Sequence, residues 1–560
     1  KNTKLIEPKA EKINTSLSAH NDERIDEYYW LNQRGEKKVI DYLNSENSYR
    51  NEYMKDYKKL EENIFLEIKS RIKEDDSSVP YYDNGYYYYT RYEKDKQYPI
   101  YCRKKESLKS EEEVLIDANI MSKGHEYFRV GSIDISPDNK IMAYSVDTVS
   151  RRLYTIYFMD LDTRKIYEGK IPNTSGGVTW TNDNSAIFYD KKDIETLRTE
   201  RVMKYKINTD GIGSEVYYEE DETFSVFSYK TKTDKYIIIG SSATLSQEYR
   251  YLDASTSDGE FKVFQERIKG LEYSISHYMD KWYIRTNKDS ATNFKLMTCE
   301  ENKTNSNQWK DYIPHRESIF FEDIEVFSDY LVVTERENGL RRIEIRPWSG
   351  KKNHYISFEE EVYSLYSSSN PQLNTDKFRY SYSSMTTPNS VIEYDMSTKE
   401  KKVLKEIEVL GGNFNKNNYV SKRIWAPARD GKRVPISLVY RKDMFKQEEN
   451  PLLLYGYGSY GITNNASFSS VRLSLLDRGF VVGGTSFGKG SVQQPFDLDD
   501  KTAVRITVAK YCTPSGRSIH RDFSDAYDKY KQDIEFYKTE LSDSLKNILG
   551  AESNKNKEGN

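Results

Sequence analysis

Cysteine is nearly missing from this chain of 560 residues: only Cys102, Cys299 and Cys512 occur, far apart. Three scattered thiols allow neither a disulfide framework nor a CxxC metal knuckle. Histidine is scarce as well. Six are present (His20, His125, His277, His315, His354 and His520), with no HExxH and no paired spacing, so neither a zinc site nor another metal or cofactor is expected. No apolar run reaches eighteen residues and mean hydropathy is −0.85, which argues against a membrane-spanning helix. Neither sign of charge dominates: 85 basic residues stand against 89 acidic ones, net −4. The Lys/Arg-rich tract that an electrostatic grip on nucleic acid requires is lacking. The chain opens on Lys1 and not Met, so trimming or a fragment is expected, with any export signal out of view. The compartment expected is bacterial cytoplasm or periplasm, the periplasm ahead; oligomeric state is not legible.

What is abundant is tyrosine, 48 residues within an aromatic fraction of 14%. A ring with an apolar body and a wet tip suits half-buried strands, so the chain reads as mainly β. The first seventy or so residues differ. Val39, Ile40 and Leu43, then Leu60, Ile64, Ile68 and Ile72, recur at helical spacing, predicting two amphipathic helices within 36–73 that need a partner core. From 74 to about 410, short Tyr/Val/Ile/Phe runs alternate with polar breaks, and an Asp precedes an apolar strand at Asp83, Asp138, Asp183, Asp234, Asp280, Asp329 and Asp376. Seven units of about fifty residues, each with room for four strands, describe a seven-bladed β-propeller. The aspartates themselves read as hairpin-turn residues, because a position repeated in every unit marks the fold and not a unique site.

After Gly411-Gly412 the pattern changes. RIWAPARDGKRVPISLVYRK (423–442) predicts a hairpin around Asp430-Gly431. PLLLYGYG (451–458) predicts a buried parallel strand, ASFSSVRLSLLDRG (466–479) a helix stopped by Gly479, and FVVGG a second buried strand. Strand, helix, strand is the start of an α/β sheet.

These residues carry a family likeness. ERIDEYYWLNQRGEKKVIDYLNSEN near the start, RIWAPARDGKRVPISLVYRKD, and PLLLYGYGSYG followed by RLSLLDRGFV resemble the prolyl oligopeptidase family, nearest to its oligopeptidase B branch, over about residues 5–482. The resemblance implies a seven-bladed propeller above an α/β-hydrolase domain to which the N-terminal helices contribute. It also implies cleavage of short peptides by a Ser-Asp-His triad, after Arg or Lys in the oligopeptidase B branch. By match, Tyr457 takes the place of the oxyanion-hole tyrosine, whose donor stabilises a developing alkoxide by about 3–4 kcal/mol, and Tyr460 that of an aromatic lining the substrate pocket.

The likeness ends near Val482, before the family's nucleophile, aspartate and histidine. VVGGTSFGKGSVQQPFDLDDKTAVRITVAKYCTPSGRSIHRDF (481–523) instead resembles the carboxy-terminal processing (tail-specific) peptidases, which use a Ser-Lys dyad. By match Lys489 is that family's general base and Gln493 its orienting partner, with the dyad serine absent from this chain.

Gly484-Thr485-Ser486-Phe487-Gly488 also satisfies G-x-S-x-G after an apolar strand. A nucleophile elbow needs a helix beginning at the serine, whereas KGSVQQPFDLDD carries Gly490 and Pro495 and no apolar stripe. A triad of Ser486 with Asp497, Asp499 or Asp500 and His520 leaves too little chain for the intervening strands and helices. A Ser486–Lys489 dyad lacks the burial that would lower the lysine pKa. The expected organisation is therefore an N-terminal helical segment (1–73), the propeller (74–410), an incomplete α/β-hydrolase domain (411–482), a processing-peptidase fragment (483–547) whose residues 524–547 read as a weakly amphipathic helix, and a polar disordered tail (548–560). The function expected is that of a serine-type oligopeptidase by family whose own residues cannot complete the catalytic unit. A peptide-binding propeller, or a partial Ser-Lys peptidase needing a partner chain, are the alternatives.

Overall fold

Turn chemistry sets the architecture. In the computed structural model, which describes residues 5–510 apart from 20–21, 210, 428–432, 447–448, 457–461, 486–490 and 498–502, all seven repeated aspartates lie where one strand of a sheet turns into the next. Asp183 shows why: its Oδ1 accepts hydrogen bonds from Thr181 Oγ1 at 2.6 Å and from the Ser185 backbone N–H at 3.0 Å. The chain thereby closes on itself at Asn184, whose φ of 63° suits asparagine better than most side chains.

The two compact units of the chain are residues 1–72 with 409–414, and 73–408 with the residues from 415 on. In the first, helices Lys37–Tyr53 and Lys58–Ser70 occupy the expected stretch. Their stripe is only partly covered: Val39 is buried, but Leu60, Phe65 and Ile72 are exposed.

In the second unit, antiparallel four-stranded sheets follow one another along the chain, over 81–117, 225–265, 273–313, 319–355 and 364–406. Between the first two of these lies one seven-stranded sheet, in which the long strand Ile166–Trp180 pairs with Tyr154–Asp160 on one side and Ala186–Lys192 on the other. The protein is thus mainly β and propeller-like. Apolar clusters join each sheet to the next: Leu115 and Ile116 to Met142 and Tyr144, Val202 to Ile237, Phe264 to Trp282, Leu296 to Phe321, and Val332 to Phe378. The last sheet meets the first through polar contacts, Arg379 Nη1 on the Pro80 carbonyl at 2.7 Å and Lys405 Nζ on Asp76 Oδ1 at 2.6 Å.

Beyond 415 a mixed sheet runs in the order Tyr419–Pro427, Arg433–Arg441, Val481–Thr485, Leu452–Gly456, the last pair parallel. The turn of the expected hairpin lies outside the described residues. Helix Ser470–Leu476 connects the parallel strands; Ser469 Oγ caps it by accepting the Arg472 N–H at 3.3 Å, and Gly479 at φ 82° ends it. One expectation is corrected here. Leu452–Gly456 is parallel as predicted but not buried: Leu452, Leu453 and Leu454 are 36%, 44% and 37% exposed, because it forms the edge of this sheet and nothing among the described residues covers it. Ala503–Lys510 does not extend this sheet but pairs antiparallel with Ser491–Asp497 in a separate ribbon.

Candidate functional site

The sheet over 81–117, the seven-stranded sheet, the strand Ser225–Lys230 with the turn after it, and residues 371–374 line a cavity of about 1140 Å³. Asp83 and Asp234 reach it from hairpin tips, Asp134 and Asp190 from strands, and Lys230 and Lys232 from the strand Ser225–Lys230 and the turn after it. Tyr81, Tyr88 and Trp180 supply aromatic wall.

Two carboxyl groups in this wall lack a cationic partner among the described residues. Asp190 accepts from Ser228 Oγ at 2.7 Å and from Ser175 Oγ at 3.2 Å. Asp134 accepts from Ser132 Oγ at 2.6 Å and from the Val178 N–H at 3.4 Å. Hydroxyl donors only partly replace lost hydration, so burial pushes Asp190 up to about 7 and Asp134 to about 6. Burial likewise raises Asp83 and Asp234, and it lowers Lys230 and Lys232. Lys230 donates to Asn182 Oδ1 at 2.8 Å, and Lys232 pairs with Glu325 at 3.0 Å above the Phe327 ring. A cavity so lined offers acceptors to amines and peptide N–H groups and flat apolar surface to side chains.

Thr233, also on the cavity wall, bonds His277 Nδ1 at 2.9 Å, and His277 Nε2 meets Glu301 Oε1 at 3.0 Å. Hydroxyl, imidazole and carboxylate in series have the outline of a proton relay. The Glu301 carboxylate is, however, shared with Tyr236 OH at 2.6 Å and Lys235 Nζ at 2.5 Å, and His277 lies buried against Tyr236 and Trp282, where burial lowers its pKa and keeps it neutral. The chain Thr233–His277–Glu301 ties one sheet to the next.

Of the residues singled out in the sequence, Tyr457, Tyr460, Ser486, Lys489 and His520 lie outside the described residues. Gln493 belongs to the strand Ser491–Asp497, opposite Thr507. The segment just beyond G-x-S-x-G is therefore a strand. Asp134 and Asp190 went unremarked in the sequence; within SIDIS and FYDKK they look like ordinary alternation, and only a repeat-by-repeat alignment of inward-facing positions would have marked them.

Residues 8–407 match the family described as prolyl oligopeptidase, N-terminal beta-propeller domain, and residues 429–534 match peptidase family S41. The second match begins upstream of the seam read from the sequence. Dipeptidyl aminopeptidase BI of Pseudoxanthomonas mexicana is 40% identical over 84% of this chain and 67% of its own length. Protease 2 of Moraxella lacunata is 30% identical over 86% of this chain and 71% of its own length. Among solved structures, oligopeptidase B from Leishmania major is similar with a TM-score of 0.80 at 30% identity, covering 86% of this chain and 71% of that one.

Proposed function

Because the chain belongs to the prolyl oligopeptidase family, a family of serine peptidases, we propose that it takes short peptides into the cavity of a seven-bladed propeller and holds them without cutting the peptide bond. Dividing the seven-stranded sheet at the long strand Ile166–Trp180 gives two blades, seven with the five four-stranded sheets. The cavity they would enclose is large enough for a small peptide and carries the acceptors that a peptide amine or backbone requires.

The observation that carries the second half is the strand Ser491–Asp497. In an elbow the helix beginning at the nucleophile aims its N-terminus and the next backbone N–H at the oxyanion. A strand starting five residues after Ser486 speaks against such a helix. The stretch in question also matches a family whose base, carried over as Lys489, serves a different nucleophile. One oxyanion donor and one base from unrelated enzymes do not form a catalytic unit, because such groups act only together.

Calorimetry with an Arg-containing tetrapeptide tests this reading, with mass spectrometry of the same sample. Binding heat in the wild type, its loss in Lys230→Trp, which fills the cavity, and no fragments are expected; absence of binding, or fragments, would contradict it. A second reading is favoured by the S41 match: Lys489 and Gln493 acting with a serine supplied by another chain. Hydrolysis that appears only on mixing with a serine-bearing fragment would select it.

A further inference from the structure

A second, smaller pocket lies where the propeller-like sheets meet the mixed sheet, within the same compact unit. Its volume is about 340 Å³, and its lining includes Tyr363, Arg423, Arg433, Asn464, Asn465 and Gly484. Gly484 lies in the strand Val481–Thr485 of the mixed sheet, two residues before Ser486, so the pocket opens at the end of the parallel strands.

Its charge is one-sided. Arg423 donates from Nη2 to the Asn338 carbonyl, while its Nε is buried with no hydrogen-bond partner. Arg433 is exposed. The Trp425 ring is contacted by both guanidinium groups, 5.1 Å from Arg423 and 5.2 Å from Arg433. Neither arginine has a carboxylate within ion-pairing distance among the described residues; Glu361 acts on Arg423 only at longer range. Several other buried or half-buried arginines among the described residues are paired, as Arg103 is with Glu113, Arg316 with Glu335 and Arg336 with Glu322. Two cations over one indole, one with an unsatisfied buried N–H, form a site with no counter-charge within ion-pairing distance among the described residues.

A planar carboxylate is the anion whose two oxygens suit guanidinium donors, and such charge-assisted bonds are about twice as strong as neutral ones. The pocket's volume stands at the lower end of the range for small ligands, about 300–1,000 Å³, so it admits the end of a chain more readily than an extended peptide. The neighbouring Asn465 is already fixed, accepting from Arg336 at 3.1 Å and donating to Tyr366 OH at 2.8 Å, so this wall is rigid before any ligand arrives. We propose that Arg423 and Arg433 bind the C-terminal carboxylate of a short peptide at the junction of the propeller and the mixed sheet. This rests on the peptide-binding reading and gives it a direction: chains would be selected by their carboxyl end as well as by length.

The test compares three probes by calorimetry on the full chain: tetra-alanine with a free carboxyl terminus, the same peptide amidated, and an amidated peptide with one internal glutamate. The free acid is expected to bind tighter than its amide by about tenfold, the size of one charge-assisted contact. Arg433→Gln, exposed and therefore safe for folding, should reduce that ratio to about threefold or less, with Arg423→Gln abolishing it if the variant retains its unfolding transition. Equal binding of acid and amide overturns the inference and leaves peptide binding intact. Preference for the internal glutamate shows a side-chain carboxylate as the ligand and overturns the terminal assignment. Failure of all three peptides to bind overturns this inference together with the reading beneath it. A ratio unchanged in Arg433→Gln and Arg423→Gln places the anion elsewhere and also overturns it.

Discussion

Two strands of nearly the same composition have opposite fates in this chain. Tyr236-Ile237-Ile238-Ile239-Gly240 lies in a four-stranded sheet with Ile237, Ile238 and Ile239 at 0% exposure, whereas Leu452-Leu453-Leu454-Tyr455-Gly456 is exposed along its length, Tyr455 at 62%. The difference is in their neighbours. The first has a partner strand on each side and an apolar sheet above and below, contributing Phe188 and Val202 on one face and Trp282 and Ile284 on the other. The second is an edge among the described residues, where it is paired to Val481–Thr485 alone. Each repeat of a ring finishes the burial of the one before it. Parallel strands are stable when both faces are covered and the sheet continues sideways, and among the described residues four strands with one helix do not supply that cover. An apolar run is a demand for cover, and the remainder of the chain decides whether the demand is met.

A matched pair of truncations separates the two regions most strongly. Ile238→Ala should lower stability by about 3–5 kcal/mol, as removal of a buried branched side chain does, while Leu453→Ala should cost less than about 1 kcal/mol. Urea titration followed by fluorescence measures both; equal losses would mean that the exposed strand is covered after all. Next in size is the pH response of the cavity wall. The folded pKa of Asp190 stands near 7 against an ordinary 3.8, so the folded chain binds the extra proton. The stability linked to it is complete below about pH 4 and disappears as pH rises through about 7. Asp190→Asn, which cannot ionise, should therefore gain on the wild type by an amount on the order of 2–4 kcal/mol between these limits; a gap independent of pH would contradict the assignment. A smaller effect is expected at the exposed edge, where Leu453→Lys should raise the concentration at which the chain self-associates by roughly threefold to tenfold in light scattering, since a charge blunts edge pairing. Smallest is the join between the first and last sheets: Lys405→Met, which removes the contact to Asp76, should cost under about 1 kcal/mol and less in high salt.

Much of the repeat was legible because hairpins need particular residues at particular offsets. Asp83, Asp138 and Asp183 each stand before an asparagine with positive φ, Asn84, Asn139 and Asn184, and that local chemistry is written in adjacent letters. The contact of Arg379 with Pro80 joins residues nearly three hundred positions apart, and nothing local announces it. The pocket at Arg423 and Arg433 escaped notice for a related reason. The hairpin RIWAPARDGKRV reads as a turn, and only folding shows that two guanidinium groups lie over the Trp425 ring. The candidate catalytic residues were the reverse case: Tyr457, Lys489 and Ser486 were visible as motifs, but a motif counts as chemistry only when its partners stand beside it.

The claim that the chain holds peptides and does not cut them is tested most directly by prolonged incubation of the purified chain with an Arg-containing chromogenic peptide, read by absorbance and mass spectrometry. Intact peptide throughout, with binding heat in a parallel calorimetric run, is the predicted result. Release of chromophore by the wild type, abolished in Ser486→Ala, would contradict it.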